Sequence, residues 1–149
     1  MSLQQQLERQ QAALDALVEL LHRERQALTQ GRVDGELLQC LADAKQIHFV
    51  ELEALEAKRR QEQQALGYGV DHSGAQQAAW DMGLLDQWRA LQESAELVRG
   101  LNERNGGLIL DRMTHNQRML NALHELRGDS LYNPAGQARK ASGHLAYRA

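Results

Sequence analysis

Leucines recur every seven residues at the start of the chain, and this spacing predicts a long helix of the coiled-coil type. The repeat and the positions between its members are Leu3, Leu7, Gln10, Leu14, Leu17, Leu21, Glu24 and Leu28. Apolar residues at alternating three- and four-residue steps line one face of a helix. We therefore predict a first helix over residues 2–30, with two polar residues inside its apolar seam.

A short break separates this helix from a second one. Gly31 suits the left-handed position just past a helix, and Asp34 suits the N-cap of the next. The leucine pattern then predicts a second helix over residues 34–66. Its predicted inner side consists of Leu37, Leu41, Ala44, His48, Leu52, Leu55 and Leu66. A connection this short favours an antiparallel pair of helices.

The third predicted element begins after a glycine-rich loop and covers residues 75–127. Ser73 and Gln76 have the spacing of a capping box at its start. Asn105-Gly106-Gly107 lies inside this element and is a strong turn signal, so a break there is the alternative. The apolar phase is the same on both sides of the glycines, which favours one continuous helix.

Composition supports an all-α protein and argues against several functional classes. Hydrophobic residues make up 42% of the chain but aromatic residues only 4%, and there is a single proline. Such a composition is typical of long helices, so we predict a three-helix antiparallel bundle with a flexible C-terminal tail. The net charge of −3 gives no indication of nucleic-acid binding. No signal peptide or membrane span is recognisable, so we expect a soluble, cytoplasmic protein without membrane insertion.

The last 22 residues, 128–149, lose the leucine period and are expected to be mobile when the protein is alone. They carry three basic side chains against one acidic side chain. Apolar and basic groups here could anchor a partner and become ordered on binding. The candidate partner-binding residues are Leu131, Tyr132, Arg139, Lys140, Leu145 and Tyr147. The alternative is a tail that packs back on the helices.

Little in the sequence indicates catalysis, a metal or another cofactor. Glu19 and His22 have the spacing of one half of a di-iron site, but no second pair exists, so we place them on a solvated helix edge. The basic run Lys58-Arg59-Arg60 is flanked by glutamates and is interpreted as a solvated helix face. We predict that the protein is not an enzyme.

Asparagines at seam positions are the most informative polar residues. Asn102 and Asn116 are expected to fix helix register, as a buried asparagine does in coiled coils, and Asn105 could do the same. The alternative is a partner-binding patch formed by Asn102, Asn105, Gly106 and Ile109. For Asn105 the residues leave both interpretations open.

Several stretches resemble the FlgN family of bacterial flagellar export chaperones. The matching segments are "LVELLHRERQAL" (17–28), "LEALEAKR" (52–59), "LNERNGGLIL" (101–110) and "LYNPAGQ" (131–137). The third resembles the family's Asn-x-x-Asn-Gly-x-Leu-Ile stretch, and the fourth its Tyr-x-x-x-Gly segment. The resemblance spans about residues 3–140, although Gly107 and the residues after Lys140 do not match it.

The resemblance implies a cytoplasmic chaperone for the hook–filament junction proteins FlgK and FlgL. It further implies that the C-terminal segment binds these clients and that Tyr132 takes part in docking on the export gate protein FlhA. A structural coiled-coil scaffold without chaperone activity is the alternative, and an enzyme built in the helical core comes third.

Overall fold

The computed structural model describes residues 2–126, which fold into four α-helices. These are α1 (Leu3–Thr29), α2 (Gly35–Ala65), α3 (His72–Asp81) and α4 (Leu85–Leu126). No strand occurs within this range, and the all-α prediction is confirmed. The predicted mobile tail lies outside the described residues.

The first helix has the predicted seam and the predicted extent to within a residue, but Gly31 after it does not adopt the predicted left-handed conformation. Ser2 caps it: its hydroxyl accepts from the amide of Gln5, whose side chain accepts from the amide of Ser2 in return. All eight seam residues are buried, including the polar Gln10 and Glu24. Burial along the whole length shows that α1 has neighbours from end to end.

The second helix runs antiparallel to α1, as predicted. The side chain of Asp34 caps it by accepting from the amides of Glu36 and Leu37. Gln10 near the start of α1 donates to Glu56 near the end of α2 at 2.9 Å. Glu24 near the end of α1 meets Lys45 in the first half of α2. Since the partner number falls as the α1 number rises, the two helices point in opposite directions.

The predicted inner face of α2 is partly wrong. Leu37 and Leu66 are exposed, whereas Leu38 is buried together with Leu41 and Leu55. Adjacent residues differ by about 100° around a helix, so choosing Leu37 instead of Leu38 rotates the predicted face.

The single helix predicted over 75–127 is wrong, because the chain contains a break at residues 82–84. Gly83 adopts φ +70°, a conformation that glycine tolerates better than other residues. The amide of Leu84 donates to the carbonyl of Ala79 at 2.7 Å, and that of Gly83 donates to the carbonyl of Trp80 at 3.2 Å. These two bonds form a Schellman C-cap that ends α3.

The predicted start of the third element is also corrected. Asp71, and not Ser73, is the N-cap of α3, and its carboxylate accepts from the amide of Gly74 at 2.8 Å. Ser73 and Gln76 lie inside the helix. The buried alanines of α3 join the same hydrophobic cluster as Leu3 and Leu7 of α1, so α3 closes that end of the molecule.

The fourth helix is continuous through Asn105-Gly106-Gly107, as predicted. Its contacts to α1 join Gln11 to Ser94, Leu21 to Asn105, and Leu28 to Arg112, at sequence offsets of 83, 84 and 84 residues. A nearly constant offset means that the two helices are parallel and keep their register. The last two contacts lie on opposite sides of the glycine pair, so the helix phase is preserved across it.

The three long helices form an open arrangement with α1 in the middle. Both α2 and α4 pack along α1, but within the described chain their own Cα atoms stay more than 8 Å apart. Two hydrophobic clusters follow α1, a larger one around Leu17 and Leu21 and a smaller one around Leu28, Leu38 and Leu41. Because α2 and α4 do not touch through their backbones, long side chains must bridge them.

Candidate functional site

Four polar side chains meet at the level where α1, α2 and α4 approach one another, and we call them the central polar cluster: Glu24, Lys45, Asn102 and Asn105. Lys45 Nζ lies 3.0 Å from Glu24 Oε2 and donates to Asn102 Oδ1 at 3.1 Å. Asn105 Nδ2 donates to Glu24 Oε1 at 3.0 Å and to the carbonyl oxygen of Leu21 at 2.8 Å. One ion pair and its amide partners thus join all three long helices.

This cluster is buried at its centre and reaches water through its lysine. The side chain of Glu24 is 1% exposed and that of Lys45 is 15% exposed, while Asn105 is fully buried. A buried charge that loses its partner is strongly destabilising, so other helix alignments that separate these groups are disfavoured. The geometry is the one expected of seam asparagines that fix register.

The four residues predicted as a partner patch have different surroundings. Asn105 faces the interior and Asn102 contacts Lys45, whereas Gly106 is half-buried with no neighbouring heavy atom within 4 Å of an ideal Cβ position. Ile109 is partly buried against the smaller hydrophobic cluster. They therefore do not form one exposed surface, and contact of Gly106 or Ile109 with a partner stays a prediction.

A second polar group, which we call the Arg59 group and which consists of Arg59, Glu56, Gln63 and Trp88, lies toward the α3 end and corrects the interpretation of the basic run. Arg59, assigned to a solvated face, is only 4% exposed. Its guanidinium carbon is 4.9 Å from the centre of the Trp88 ring, and the group donates to Glu56 and Gln63. The cation–π contact connects α2 to α4, since Trp88 belongs to the first turn of α4.

Gln63 extends this group into the loop before α3. It is fully buried, and its amide donates to the carbonyl oxygen of Gly69 at 2.9 Å. That carbonyl in turn lies 2.0 Å from where a Cβ of Gly74 would be. The loop and α3 therefore pack too closely for any side chain at position 74.

The Arg59 group lowers the pKa of Glu56. Partial burial opposes its charge, but the hydrogen bond from Gln10 and the positive charge and hydrogen bond of Arg59, followed by the charge of Arg60, outweigh it. Together they hold the pKa of Glu56 below its ordinary value. Glu56 is therefore the acceptor that balances the buried arginine.

A third link between helices, after the central polar cluster and the Arg59 group, lies at the C-terminal end of α1. We call each of these three links a tether. Arg112 donates from Nε to the carbonyl oxygen of Leu28 at 3.2 Å and also donates to the carbonyl of Gln30. The last carbonyl groups of a helix have no partner within it, so a cation placed there satisfies them and favours the helix dipole. Sequence reasoning did not identify this role; the signal that could have found it is an arginine two turns past Asn105 on the same face of α4.

The far end of α4 extends beyond the helices that support it. At the observed offset, the end of α1 at Thr29 corresponds to position 113 of α4, so residues 114–126 run on for about 20 Å. Asn116, expected to fix register, therefore lies beyond the end of α1. Exposed apolar side chains occur at Leu110, Met119 and Leu123, and Leu126 is 83% exposed. We call residues 114–126 the distal extension; it leads directly into the predicted binding segment.

The predicted partner-binding residues of that segment lie outside the described residues. They are Leu131, Tyr132, Arg139, Lys140, Leu145 and Tyr147. Their role therefore stays a prediction. What the structure does describe is the surface from which the segment departs.

Residues 2–126 contain no group of three or more His, Cys, Asp and Glu side chains placed to hold a metal ion. Glu19 and His22 are both exposed, as predicted. His48 lies 3.4 Å from Glu51 one helical turn away. No helix in the same range has the length and apolar character needed to cross a membrane.

Comparison with known proteins gives matches to one family over most of the chain. The family model described as "FlgN protein" matches residues 1–140. The chain is 30% identical to the flagella synthesis protein FlgN of Yersinia enterocolitica serotype O:8 over 140 residues, which is 94% of this chain and 91% of that protein. It is 30% identical to the protein of the same name from Salmonella typhimurium (88% and 86% covered) and 27% identical to that of Escherichia coli K12 (88% and 86%). No solved structure matches.

Proposed function

The chain belongs to the FlgN family, and we propose that it is a cytoplasmic type III export chaperone without enzymatic activity. Its clients would be the hook–filament junction proteins FlgK and FlgL before their secretion. Its destination would be the export gate protein FlhA. Relatives that cover nearly the same length carry the name flagella synthesis protein, which supports a role in flagellar assembly.

The observation that carries this proposal is the distal extension. It presents Met119, Leu123 and Leu126 to solvent beyond the end of α1, immediately before the segment that contains Leu131 and Tyr132. Exposed apolar side chains at helical spacing suit a partner that itself offers an apolar helix. A junction protein awaiting assembly is such a partner.

The polar clusters explain how the rest of the chain serves this role. The central polar cluster and the Arg59 group align α1, α2 and α4 up to Asn105, and α4 then leads into the extension. If residues 128–149 become ordered only on the client, the cost of ordering them lowers the affinity. Release at the export gate then needs no covalent chemistry.

The test is to remove residues 128–149 and co-purify the truncated chain with a FlgK- or FlgL-type client. The truncated chain should keep its helical circular dichroism and lose the client, while the full chain retains it. Client retention by the truncated chain would argue against the proposal. A full chain that self-associates and binds neither client would favour the scaffold alternative.

A point variant separates client capture from delivery. Tyr132→Ala should weaken binding to FlhA more than binding to the client, because we assign this tyrosine to the gate contact. Tyr147→Ala, which removes the other aromatic ring of the segment, is the matched control and should leave FlhA binding in place. Pull-downs of each variant with client and with FlhA give the comparison, and equal loss of both partners in Tyr132→Ala would contradict it.

A further inference from the structure

Two adjacent glycines occupy the interior of α4 without any packing reason in the structure. A Cβ at Gly106 or Gly107 would meet no heavy atom of a neighbouring element within 4 Å. The contrast is Gly74, where a Cβ would collide with the backbone of Gly69. Glycine weakens a helix interior relative to alanine, so this pair makes α4 locally weak where larger residues would fit.

The weak point lies at the boundary between a firmly held and a loosely held part of α4. Just before it, Asn105 is fully buried and bonded to α1. Just after it, Leu108 and Ile109 are only partly buried, and Arg112 makes the last described tether to α1. Fewer buried contacts must be broken to release the second part than the first.

We propose that Gly106-Gly107 is a hinge at which residues 108–126 detach from α1 and α2 while residues 85–105 stay packed. Detachment removes Leu108 and Ile109 from the smaller hydrophobic cluster, and so uncovers Leu28, Leu38 and Leu41. The hinge therefore controls access to an apolar surface that the closed molecule covers. This inference rests on the helix itself and does not require the proposed chaperone role.

Native-state hydrogen exchange of the full chain, read by mass spectrometry, tests the hinge. In the unmodified protein, amides of residues 108–114 should exchange much faster than those of residues 88–98, because they open without global unfolding. Equal protection of the two segments would overturn the proposal.

Alanine variants locate the opening. The double variant Gly106→Ala/Gly107→Ala should slow exchange in residues 108–114 by roughly 10- to 30-fold, from the propensity difference at two positions. It should slow residues 88–98 no more than the control does. Gly100→Ala is that control, because Gly100 is also a helical glycine of α4, and a Cβ added there would lie at an ordinary 3.5 Å from the tip of the Arg104 side chain. If Gly100→Ala slows residues 108–114 as much as the double variant, there is no hinge at 106–107.

A variant that removes the Arg112 tether tests the same opening, because it should make detachment of residues 108–126 easier instead of harder. Arg112→Ala removes the bonds to the carbonyl oxygens of Leu28 and Gln30 and should speed exchange in residues 108–114 severalfold. Exchange in residues 88–98 should not change. An unchanged rate in 108–114 would show that this part of α4 does not open by leaving α1.

Discussion

The buried ion pair of the central polar cluster makes an asymmetric prediction about stability. Lys45→Met removes the ammonium group and leaves Glu24, whose side chain is 1% exposed, as a buried carboxylate without a counter-charge. Removing one partner of a buried pair costs about 3–5 kcal/mol. Because Lys45 is 15% exposed and its site already reaches water, we expect the lower end, about 3 kcal/mol.

Removing the carboxylate of Glu24 instead of the ammonium group of Lys45 should lower the free energy of unfolding by less. Glu24→Gln keeps an acceptor for the amide of Asn105 and leaves the Lys45 ammonium where water can solvate it, so we expect about 1–2 kcal/mol. In the double variant the neutral glutamine has no charge to balance, and the loss should fall below the sum of the single losses by about 1 kcal/mol or more.

Urea unfolding followed by far-ultraviolet circular dichroism measures all three variants, with equal m-values as the check that one transition is compared. Glu51→Gln, which changes an exposed glutamate of α2, is the control and should stay within about 0.5 kcal/mol of the unmodified protein. If Lys45→Met costs no more than this control, or if Glu24→Gln costs more than Lys45→Met, the burial argument is refuted.

Two further predictions concern the Arg59 group and the loop before α3. Because the folded-state pKa of Glu56 is lowered, its ionised form stabilises the protein above the unfolded-state pKa, and this contribution is lost as the pH falls through the folded-state value. Glu56→Gln should therefore make the melting temperature less sensitive to acidification between about pH 6 and pH 3; an unchanged pH profile would contradict this. Gly74→Ala places a Cβ 2.0 Å from the carbonyl oxygen of Gly69 and should destabilise the fold by about 1–3 kcal/mol in urea unfolding. Gly31→Ala, where a Cβ meets nothing within 4 Å, is its control.

The elements that the sequence predicted well are those in which one face is buried along its whole length. Every seam position of α1 is buried, so the seven-residue repeat was sufficient. For α2 the pattern was ambiguous, because Leu37 and Leu38 are adjacent leucines and only the packing on α1 selects the second. The break at Gly83 was hidden, since Leu84 and Trp88 continue an apolar phase that looks like one uninterrupted helix.

The polar sites, too, could be predicted from the sequence only in part. Asn105 could be found because an amide on a leucine seam is unusual, and Glu24 is likewise a polar member of the seam of α1. Arg59 could not be distinguished from Lys58 and Arg60 by sequence, because its burial depends on Trp88, which is distant in the chain. Which member of a charged run turns inward is decided by tertiary contacts, and a helical pattern alone does not carry them.

The positions of the three tethers also indicate where a partner could bind without unfolding the helices. The Arg59 group, the central polar cluster and Arg112 are spaced along α1. The first two connect α2 to α4, whose backbones do not meet, and Arg112 connects α4 to α1. All three lie before the distal extension, so a partner can bind there without touching any of them. Opening at the proposed hinge would break the bonds from Arg112 to the carbonyl groups of Leu28 and Gln30. If a partner bound at the extension favours that opening, binding and exposure of the smaller hydrophobic cluster are coupled through Gly106-Gly107, while Asn105 keeps the rest of the molecule aligned.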